Sequence, residues 1–337
     1  MAPQLRIHMF LISLFALHVS ANGEPPTDVS QRWLAPQSWT RDMDAPVVSL
    51  GESGTWDDMH IFAPCVAFEN GAYTMWYSGS RGDVEARLFH MGRATSSDGV
   101  HFAKDKNPVY SFGDGTHSVL TPAILRDAGG RVLRENGELR MWFACADLTH
   151  SAGLHTLRET RSADGVQWSP PSSVQLENVY APTIVKHDGT YRMWCTDVSA
   201  DPWVIRHAQS LDGVTWAVTE QPCVVIDQPW EKNRLFYSTV LMADGVYLMW
   251  YGSYWSARPN TTALGFAFSE DGLTWRKSPN NPVFTPDPNR PWESHYTTSQ
   301  SVLRLDDGSF RIWYASRNAP PFKNKYFAIC TARWPES

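Results

Sequence analysis

Acidic, imidazole and guanidinium side chains lie at fixed distances from short apolar segments of this 337-residue chain. In WDDMHIFAP (56–64), Asp58 and His60 precede such a segment without counterparts at the matching positions of WEKNRLFYS (230–238). Other unrepeated groups lie in segments of variable length: Arg81, Asp83, His117, Asp147, Glu177, Asp197, Tyr254, Arg258, His295 and Arg317. Around one pocket, such a mixture of carboxylates, imidazoles, guanidiniums and aromatic rings is typical of a site for a polyhydroxylated ligand.

Three further acids repeat with the framework of the chain. Asp57, Glu231 and Glu293 each follow a tryptophan at the same position of a repeated segment. A residue that repeats in this way is more often architectural than catalytic. We therefore place Asp57 and Glu293 among binding residues, although Asp57 and Glu231 both return below as candidates for catalytic roles.

The elements that must position these residues form a repeat. Its first part is an apolar run, and its second part follows a Gly-containing turn and carries Met-Trp or Ile-Trp. The first parts are FAPCVAF (62–68), LTPAILR (120–126), YAPTIVK (180–186), YSTVLMA (237–243) and SQSVLRL (299–305), and the second parts are AYTMWYSG, ELRMWFAC, TYRMWCTD, VYLMWYGS and SFRIWYAS. Both parts show the alternation and the flanking turn residues of β-strands.

The third and fourth parts complete a four-stranded unit. The third ends in Asp-Gly before an apolar or aromatic residue, as in SSDGVHF, and Asp-Gly suits the left-handed positions of a tight hairpin. The fourth closes on Pro-Val or its equivalent. Four strands that cannot bury both faces alone are the signature of a β-propeller blade, and five second strands predict five blades.

The last unit ends before its fourth strand, and the missing strand is present near the N-terminus. The segment 38–58 resembles 281–294, which leads into a blade. We therefore expect the strand around Ala45–Leu50 to complete the last blade and close the ring, which removes exposed sheet edges. The prediction is an all-β, five-bladed β-propeller of four-stranded antiparallel blades, forming one domain over residues 22–337.

Chain direction assigns the loops to two ends of the propeller. Turns between the first and second strands and between the third and fourth strands share one end and are short. Links between the second and third strands and between blades share the other end, and they are long and dissimilar. We call this second end the mouth, and we expect the site there because function concentrates on variable loops.

Composition and targeting signals narrow the functional classes. A formal charge of −6 without any run of Lys or Arg gives no support for a nucleic-acid or anionic membrane partner. Residues 1–21 contain Arg6, an apolar run and small residues at Ser20 and Ala21, which predicts a secretory signal peptide. The protein is therefore expected to be secreted or periplasmic.

Taken together, the three strand motifs make the chain similar to the five-bladed propeller glycosidases, including the family 43 and family 32 enzymes. The motifs are S-x-D-G-x-x-W, P-x-[VI]-[VI] and Y-x-M-W-Y-S. The resemblance implies a glycoside hydrolase acting on a poly- or oligosaccharide, with three acids at the mouth. One carboxyl must be protonated and another ionised at the same pH, flanking an oxocarbenium-like centre.

By this resemblance Asp58 is the base or nucleophile, with Asp57 as its rival, and Glu177 or Glu231 is the proton donor. Asp147 or Asp197 is the helper. No cofactor is implied, no zinc-type spacing of cysteines is present, and a structural ion in the central channel is compatible with the architecture.

The sequence departs from the family at one informative position and leaves alternatives open. Ala63 stands where the family has an aspartate before the proline of blade one, so His117, His60 or His295 are alternative acids. One alternative is a non-catalytic carbohydrate-binding propeller that uses Trp203, Tyr254 and Trp255. Another is a transferase, phosphorylase, isomerase or lyase that uses His and Arg, with Arg81, Arg258 and Arg317 as a cationic cluster.

Overall fold

A computed structural model of the chain confirms the five-bladed β-propeller. It describes residues 28–82, 88–150, 154–319 and 327–335. Five antiparallel sheets account for nearly all regular structure in these ranges. The single helix there is α1, and no helix in the described ranges has the length and apolar character needed to cross a membrane. The segment 1–21 lies outside the described residues, and its role as a signal peptide stays a prediction.

The strands follow the predicted order. Before the blades come α1 (Asp28–Leu34), β1 (Thr40–Arg41) and β2 (Val48–Ser49). Blade one has β3 (His60–Glu69), β4 (Ala72–Ser80), β5 (Phe89–Ser96) and β6 (Ala103–Lys104). Blade two has β7 (His117–Ile124), β9 (Arg134–Glu135), β10 (Glu138–Asp147), β11 (Leu154–Ser162) and β12 (Leu176–Glu177), and β8 (Arg126–Asp127) follows β7 in the chain but pairs with blade three. Blade three has β13 (Val179–His187), β14 (Thr190–Asp197), β15 (Val204–Ser210) and β16 (Ala217–Val218). Blade four has β17 (Glu231–Ala243), β18 (Val246–Trp255), β19 (Thr262–Ser269) and β20 (Arg276–Lys277), and blade five has β21 (Tyr296–Arg304), β22 (Phe310–Arg317) and β23 (Phe327–Trp334).

The ring closes through its inner strands and through the N-terminal segment. The first strands contact one another in the cyclic order β3, β7, β13, β17, β21 and back to β3. Both β1 and β2 pair antiparallel with β23. The predicted completion of the last blade by an N-terminal strand is therefore confirmed, although it uses two short strands. The two-residue β8 adds a parallel partner to β13 in the sheet of blade three.

The repeated tryptophan joins each blade to the next. In blade one, the indole N–H of Trp76 donates to the carbonyl oxygen of Gly165 at 3.0 Å, in the Asp-Gly turn of blade two. Equivalent bonds run from Trp142 to Gly213, from Trp194 to Gly272 and from Trp313 to Gly99, at 3.1, 2.8 and 2.8 Å. In blade four, Trp250 donates to Gln37 Oε1 at 3.1 Å, so the N-terminal segment replaces the turn that blade five lacks.

The Asp-Gly turns need glycine because the tryptophan lies so close. Gly165 has φ +74, and a Cβ atom there would lie 2.8 Å from the ring of Trp76. Gly272 has φ +76, and its Cβ would lie 2.9 Å from Trp194. Both the backbone conformation and the space therefore exclude a larger residue.

Each inner strand contains a non-glycine residue in the left-handed region at the axis, close to a break in strand register, and β17 contains a second one, Asn233, farther from the axis towards the mouth. Those at the axis are Ala63, Thr121, Ala181, Tyr237 and Ser299, with φ between 44° and 52°. All five line a cavity on the propeller axis. A bulge of this kind bends a strand and changes the direction of its side chains. We call these residues the axial bulge positions.

Candidate functional site

The acids that repeat after tryptophan are buried inside blades. Glu231 is 6% exposed, and its carboxylate accepts hydrogen bonds from the Tyr251 hydroxyl at 2.7 Å and from Lys277 Nζ at 2.6 Å. Its second oxygen accepts the backbone N–H groups of Asp227 and Gln228 at 2.9 and 3.0 Å. Every lone-pair direction of Glu231 is thus engaged in holding the loop and two outer strands of blade four together.

The same three-part arrangement occurs in blades one and five. Asp57 is 2% exposed and accepts hydrogen bonds from Tyr77 at 3.2 Å and Lys104 at 2.7 Å. Glu293 is fully buried and pairs with Tyr314 and with Arg41, whose Nε lies 3.0 Å away. We call each acid, tyrosine and cation set a blade trio. This placement favours a structural role for all three acids.

Asp58 and His60 lie at the start of the inner strand of blade one. Asp58 is half-buried and accepts the backbone N–H of Gly54 at 2.7 Å. His60 is 1% exposed, and its ring lies 6.3 Å from that of Phe89. Arg81 is exposed next to the undescribed residues 83–87, which include Asp83. Asp58 is thus the accessible carboxylate of this group.

A carboxylate–imidazole–carboxylate cluster lies at the mouth of blade two. His117 begins β7, and Asp147 ends the neighbouring β10. His117 Nδ1 lies 2.6 Å from Asp114 Oδ2, and its Nε2 lies 3.6 Å from Asp147 Oδ2. The imidazole stacks on Phe112 with ring centroids 5.1 Å apart. His117 is therefore oriented on three sides while its side chain stays 24% exposed.

The two flanking carboxyls of this cluster are held in the ionised form. Partial burial acts to raise the pKa of Asp114, but hydrogen bonds from the backbone of Thr116 and from His117 outweigh it and lower the pKa to about 2. Hydrogen bonds from Thr149 lower the pKa of Asp147, with a smaller effect from His117. Both ring nitrogens of His117 therefore face ionised carboxylates.

Glu177 and Asp197 share a separate cleft of about 280 Å³ between blades two and three. Glu177 is exposed at the end of β12. Asp197 ends β14 and forms an ion pair with Arg206, with Arg206 Nε 2.7 Å from its carboxylate. Burial acts to raise the pKa of Asp197, but hydrogen bonds from Ser199 and from Arg206 lower it.

Aromatic rings close the axis at the mouth, where the sequence predicts the pocket. Phe62 of blade one and Tyr237 of blade four have ring centroids 6.5 Å apart, although these blades are not neighbours. The hydroxyls of Tyr180 and Tyr237 are hydrogen-bonded at 2.7 Å. These contacts cross the axis and leave only a small cavity beneath them. The five axial bulge positions carry no carboxylate, because alanine, threonine, tyrosine and serine occupy them.

A pocket of about 950 Å³ lies off the axis at the mouth of blades four and five, reaching a loop of blade three. We call it the mouth pocket. Its lining combines aromatic rings, cations and one carboxylate: Tyr254, Trp255, Tyr296, Lys232, Arg234, Arg317 and Asp201, with Pro202, Asn233, Pro259 and Asn260. Three of the predicted binding residues, Tyr254, Trp255 and Arg317, therefore meet here. This pocket lies beside the bulky aromatic residues that fill the axial mouth.

The polar groups of the mouth pocket are fixed by close contacts. Arg317 is 1% exposed, and its guanidinium lies 3.9 Å from the ring centre of Tyr296. Burial lowers the pKa of Arg317 and, with the nearby Tyr296, raises that of Tyr254. Arg234 pairs with both oxygens of Asp201, at 2.9 and 3.1 Å.

Three further predicted binding residues, Trp203, Arg258 and His295, lie beside this pocket without lining it. Trp203 lies under Arg234, whose guanidinium is 4.1 Å from the indole centre. Arg258 donates to the carbonyl oxygen of Ser294 at 3.2 Å, and His295 Nδ1 lies 3.0 Å from the Ser294 hydroxyl. These residues support the pocket wall through the loops before β19 and β21.

Sequence reasoning missed Tyr296 and Asp201 and underrated Lys232 and Arg234. Lys232 and Arg234 occupy in blade four the positions of Asp58 and His60 in blade one, which is the signal that marks them. In the described ranges, no group of three or more His, Cys, Asp or Glu side chains is arranged to hold a metal ion.

Comparisons with known proteins address the fold. No family model matches the sequence. An uncharacterized protein of Mycobacterium tuberculosis is 38% identical over 104 residues, which cover 28% of this chain and 33% of that protein. This chain thus spans about a third of the length of the curated relative that it matches.

Solved structures cover almost the whole chain. A glycoside hydrolase superposes with a TM-score of 0.71 at 15% identity, covering 93% of this chain and 97% of its own. A structure of the GH130 mannoside phosphorylase family, described as containing glycoside hydrolases that target β-1,2 mannosidic linkages in Candida mannan, has a TM-score of 0.66 at 16% identity and covers 88% and 94%. At these identities the similarity establishes the fold, and the chain therefore shares the five-bladed propeller architecture of these carbohydrate-active proteins.

Proposed function

We propose that the protein is an exported carbohydrate-active enzyme that cleaves glycosidic bonds of a saccharide, which binds in the mouth pocket and extends across the mouth to blades one and two. The observation that carries this proposal is the composition of that pocket. Tyr254, Trp255 and Tyr296 supply aromatic surface, and Lys232 and Arg317 supply hydrogen-bond donors. Sugars present apolar faces and many hydroxyls, so aromatic rings and charged donors together form a suitable binding surface.

Glycoside hydrolysis also requires a proton donor and a carboxylate, and the mouth provides candidates for both. His117 is oriented through Nδ1 by Asp114 and is partly exposed. In the proposed reaction its imidazolium donates a proton to the leaving glycosidic oxygen. Asp58, the accessible carboxylate of blade one, accepts a proton from the water that attacks the anomeric carbon. Glu231 is left out of this set because its blade trio engages both of its oxygens.

Phosphorolysis is the second candidate, and the charge of the mouth pocket favours it. The lining contains three cations, Lys232, Arg234 and Arg317, and one carboxylate, Asp201. Inorganic phosphate would be the nucleophile in place of water, so a single proton donor on the protein suffices. Guanidinium groups bind phosphate with paired hydrogen bonds, which suits this lining.

Activity with and without inorganic phosphate tests both candidates. The purified chain is incubated with a panel of aryl glycosides and oligosaccharides, and free sugar and sugar 1-phosphate are quantified. Hydrolysis gives free sugar regardless of phosphate, whereas phosphorolysis gives sugar 1-phosphate only when phosphate is added. His117→Gln and Asp58→Asn are each expected to lower kcat by about 10²–10⁴-fold in hydrolysis.

Saccharide binding is tested separately from turnover by calorimetry. Tyr254→Ala is expected to weaken binding by about tenfold or more, because a buried aromatic contact is lost. Phe68→Ala is the matched control, because Phe68 is 42% exposed at the opposite end of the propeller. Binding without turnover on the whole panel would assign the chain to the non-catalytic alternative. Equal effects of the two alanine variants would exclude the mouth pocket as the saccharide site.

A further inference from the structure

The axial cavity beneath the aromatic closure is small and is built by all five blades. Its volume is about 60 Å³, and every axial bulge position contributes to its wall. Pockets for organic ligands begin at roughly 300 Å³, so a saccharide does not fit. The space suits a small ion with a few waters.

A buried guanidinium lines this cavity without a carboxylate partner. Arg126 is 7% exposed, and the groups that accept its hydrogen bonds in the described chain are uncharged oxygens and one cysteine sulfur. They are the carbonyl oxygen of Val66, the carbonyl oxygen of Val302 at 3.4 Å, Ser301 Oγ at 3.3 Å and Cys65 Sγ at 3.7 Å. A buried cation without a counter-charge is costly.

Arg140 is a second buried arginine of this protein, and it has carboxylate partners. Arg140 is 2% exposed, and its Nε and one terminal nitrogen lie 2.7 and 2.8 Å from the two oxygens of Glu159. A second carboxylate, that of Glu135, lies 3.1 Å away. Among the described residues Arg126 has no such carboxylate, so its charge calls for an anion from solution.

Three hydroxyls that line the cavity are already used as acceptors. Thr121, Ser299 and Ser301 accept backbone N–H groups of the neighbouring blade, those of Ala181, Ala63 and Val66, at 3.2, 3.1 and 3.0 Å. None of the three donates to an acceptor in the described part of the protein. Their hydroxyl hydrogens are therefore available as donors to a bound species.

Two further polar atoms of the wall are buried without a partner in the described ranges. They are Ser238 Oγ and Gln300 Oε1, in residues that are 3% and 6% exposed. The amide nitrogen of Gln300 donates to the carbonyl oxygens of Tyr237 and Trp250, which fixes the direction of Oε1. The wall thus presents several donors and one acceptor, which suits an anion accompanied by a water that donates to Gln300.

We propose that the axial cavity is a binding site for a small monovalent inorganic anion of the halide class. Arg126 supplies the opposite charge, and the hydroxyls of Ser238, Ser299 and Ser301 supply hydrogen bonds. A metal cation at the same place would face the buried guanidinium directly. The site is independent of the mouth pocket and of the reaction proposed there.

The full chain tests this proposal by thermal unfolding in sodium gluconate with increasing sodium chloride at constant ionic strength. A ligand that binds only the folded state raises Tm with the logarithm of its concentration once that concentration exceeds Kd. We expect a rise of about 2–4 °C when chloride exceeds its Kd about fivefold. Crystals soaked in sodium bromide should show an anomalous peak in contact with Arg126. A bromide-free cavity or a cation in its place would overturn the proposal, and so would a Tm independent of chloride.

Single variants separate anion binding from general stability. Ser238→Ala removes a hydroxyl without any protein partner in the described ranges, so unfolding in gluconate should change little while chloride affinity falls about tenfold. Arg126→Met should abolish the chloride dependence. Arg140→Met is the matched control, because it removes an equally buried arginine and should keep the dependence. The assignment would be contradicted if Ser238→Ala kept the chloride affinity of the wild type, or if the Tm of Arg126→Met still depended on chloride.

Discussion

At the scale of the residue, the blade trios show that a charged side chain can lie close to the mouth without belonging to a binding site. Glu231 lies close to the mouth in sequence, yet its side chain is fully buried and paired with Lys277. A buried ion pair of this kind holds outer and inner strands in register. The structural role of Glu231 therefore follows from its hydrogen-bond and ion-pair partners, because its charge alone would equally suit a catalytic role.

Replacing Glu231 with glutamine tests that role. Glu231→Gln removes the buried carboxylate partner of the Lys277 ammonium, which is 7% exposed, and leaves it paired with the Asp227 carboxylate, which is 59% exposed. We expect a loss of about 3–5 kcal/mol in the free energy of unfolding, measured by urea denaturation. The control is Glu177→Gln at an exposed site, which should change stability by less than about 0.5 kcal/mol. A stable Glu231→Gln variant without activity would return Glu231 to the catalytic candidates.

The sequence contains the information for the trios, but the mouth pocket is harder to predict. Tyr77, Tyr251 and Tyr314 follow the repeated tryptophan only in the blades that have a Trp-acid pair, whereas Phe143 and Cys195 stand in blades two and three. That correlation predicts a tyrosine–carboxylate contact. The mouth pocket is formed by loops of blades three, four and five. Because these loops differ in length, their residues cannot be aligned between blades, and the sequence does not show which of them meet.

At the scale of the element, the repeated Met-Trp strand both forms its own blade and attaches it to the next. Strand positions follow from two-residue periodicity and from Asp-Gly turns, so the long strands are predictable. Strands of two residues, such as β1 and β8, have no periodicity to recognise. The indole bond to the next blade is also hidden, because its acceptor is a backbone carbonyl distant in sequence.

Removing one indole N–H measures the strength of that attachment. Trp194 is fully buried, and its N–H donates to Gly272 at 2.8 Å. Trp194→Phe loses this bond and leaves a small cavity, so we expect a destabilisation of about 2–4 kcal/mol in urea denaturation. As a control, Trp203→Phe changes a half-buried mouth residue whose indole has no such bond in the described ranges. A cost of the same size in both variants would show that the inter-blade bond is unimportant.

The Asp-Gly turns predict how the fold responds to acid. Partial burial acts to raise the pKa of Asp271, but the backbone N–H groups of Thr274 and Leu273 and the hydroxyl of Ser269 lower it to about 2. A lowered pKa means that the ionised group stabilises the folded state above its unfolded pKa of about 4. This stabilisation is lost as the pH falls from about 4 towards 2.

Comparison with an untitratable side chain isolates this contribution. Asp271→Asn is expected to lower Tm relative to the wild type near neutral pH, and the difference should shrink between about pH 4 and pH 2. Thermal unfolding followed by circular dichroism across that range gives the difference directly. A difference that stays constant with pH would show that the charge of Asp271 contributes nothing.

At the scale of the whole molecule, the ring depends on a segment from the other end of the chain. Val47 and Val48 are buried against blade five, Trp33 packs between blades four and five, and Arg41 pairs with Glu293. Closing the ring therefore buries apolar side chains of the N-terminal segment and also brings the charge of Arg41 to Glu293.

Deleting residues 1–50 removes all of these contacts. Loss of two buried valines, one buried tryptophan and the partner of Glu293 sums to about 10 kcal/mol, which equals the whole stability of an ordinary domain. We expect the shortened chain to show no cooperative thermal transition, and a peptide of residues 28–52 added in trans should restore one. A cooperative transition without the peptide would contradict a closing role for this segment.

The axial bulge positions have an evolutionary consequence. Each backbone N–H of Ala63, Thr121 and Ala181 is held by a hydroxyl of another strand, so the left-handed conformation does not depend on the side chain that the bulge carries. Ala63 and Ala181 carry no such hydroxyl, so their side chains can be exchanged while the blades stay unchanged, whereas Thr121 and Ser299 each hold the bulge of a neighbouring blade. Such separability allows one scaffold to acquire or lose an axial carboxylate through a single codon change, and so to diverge between catalysis and binding.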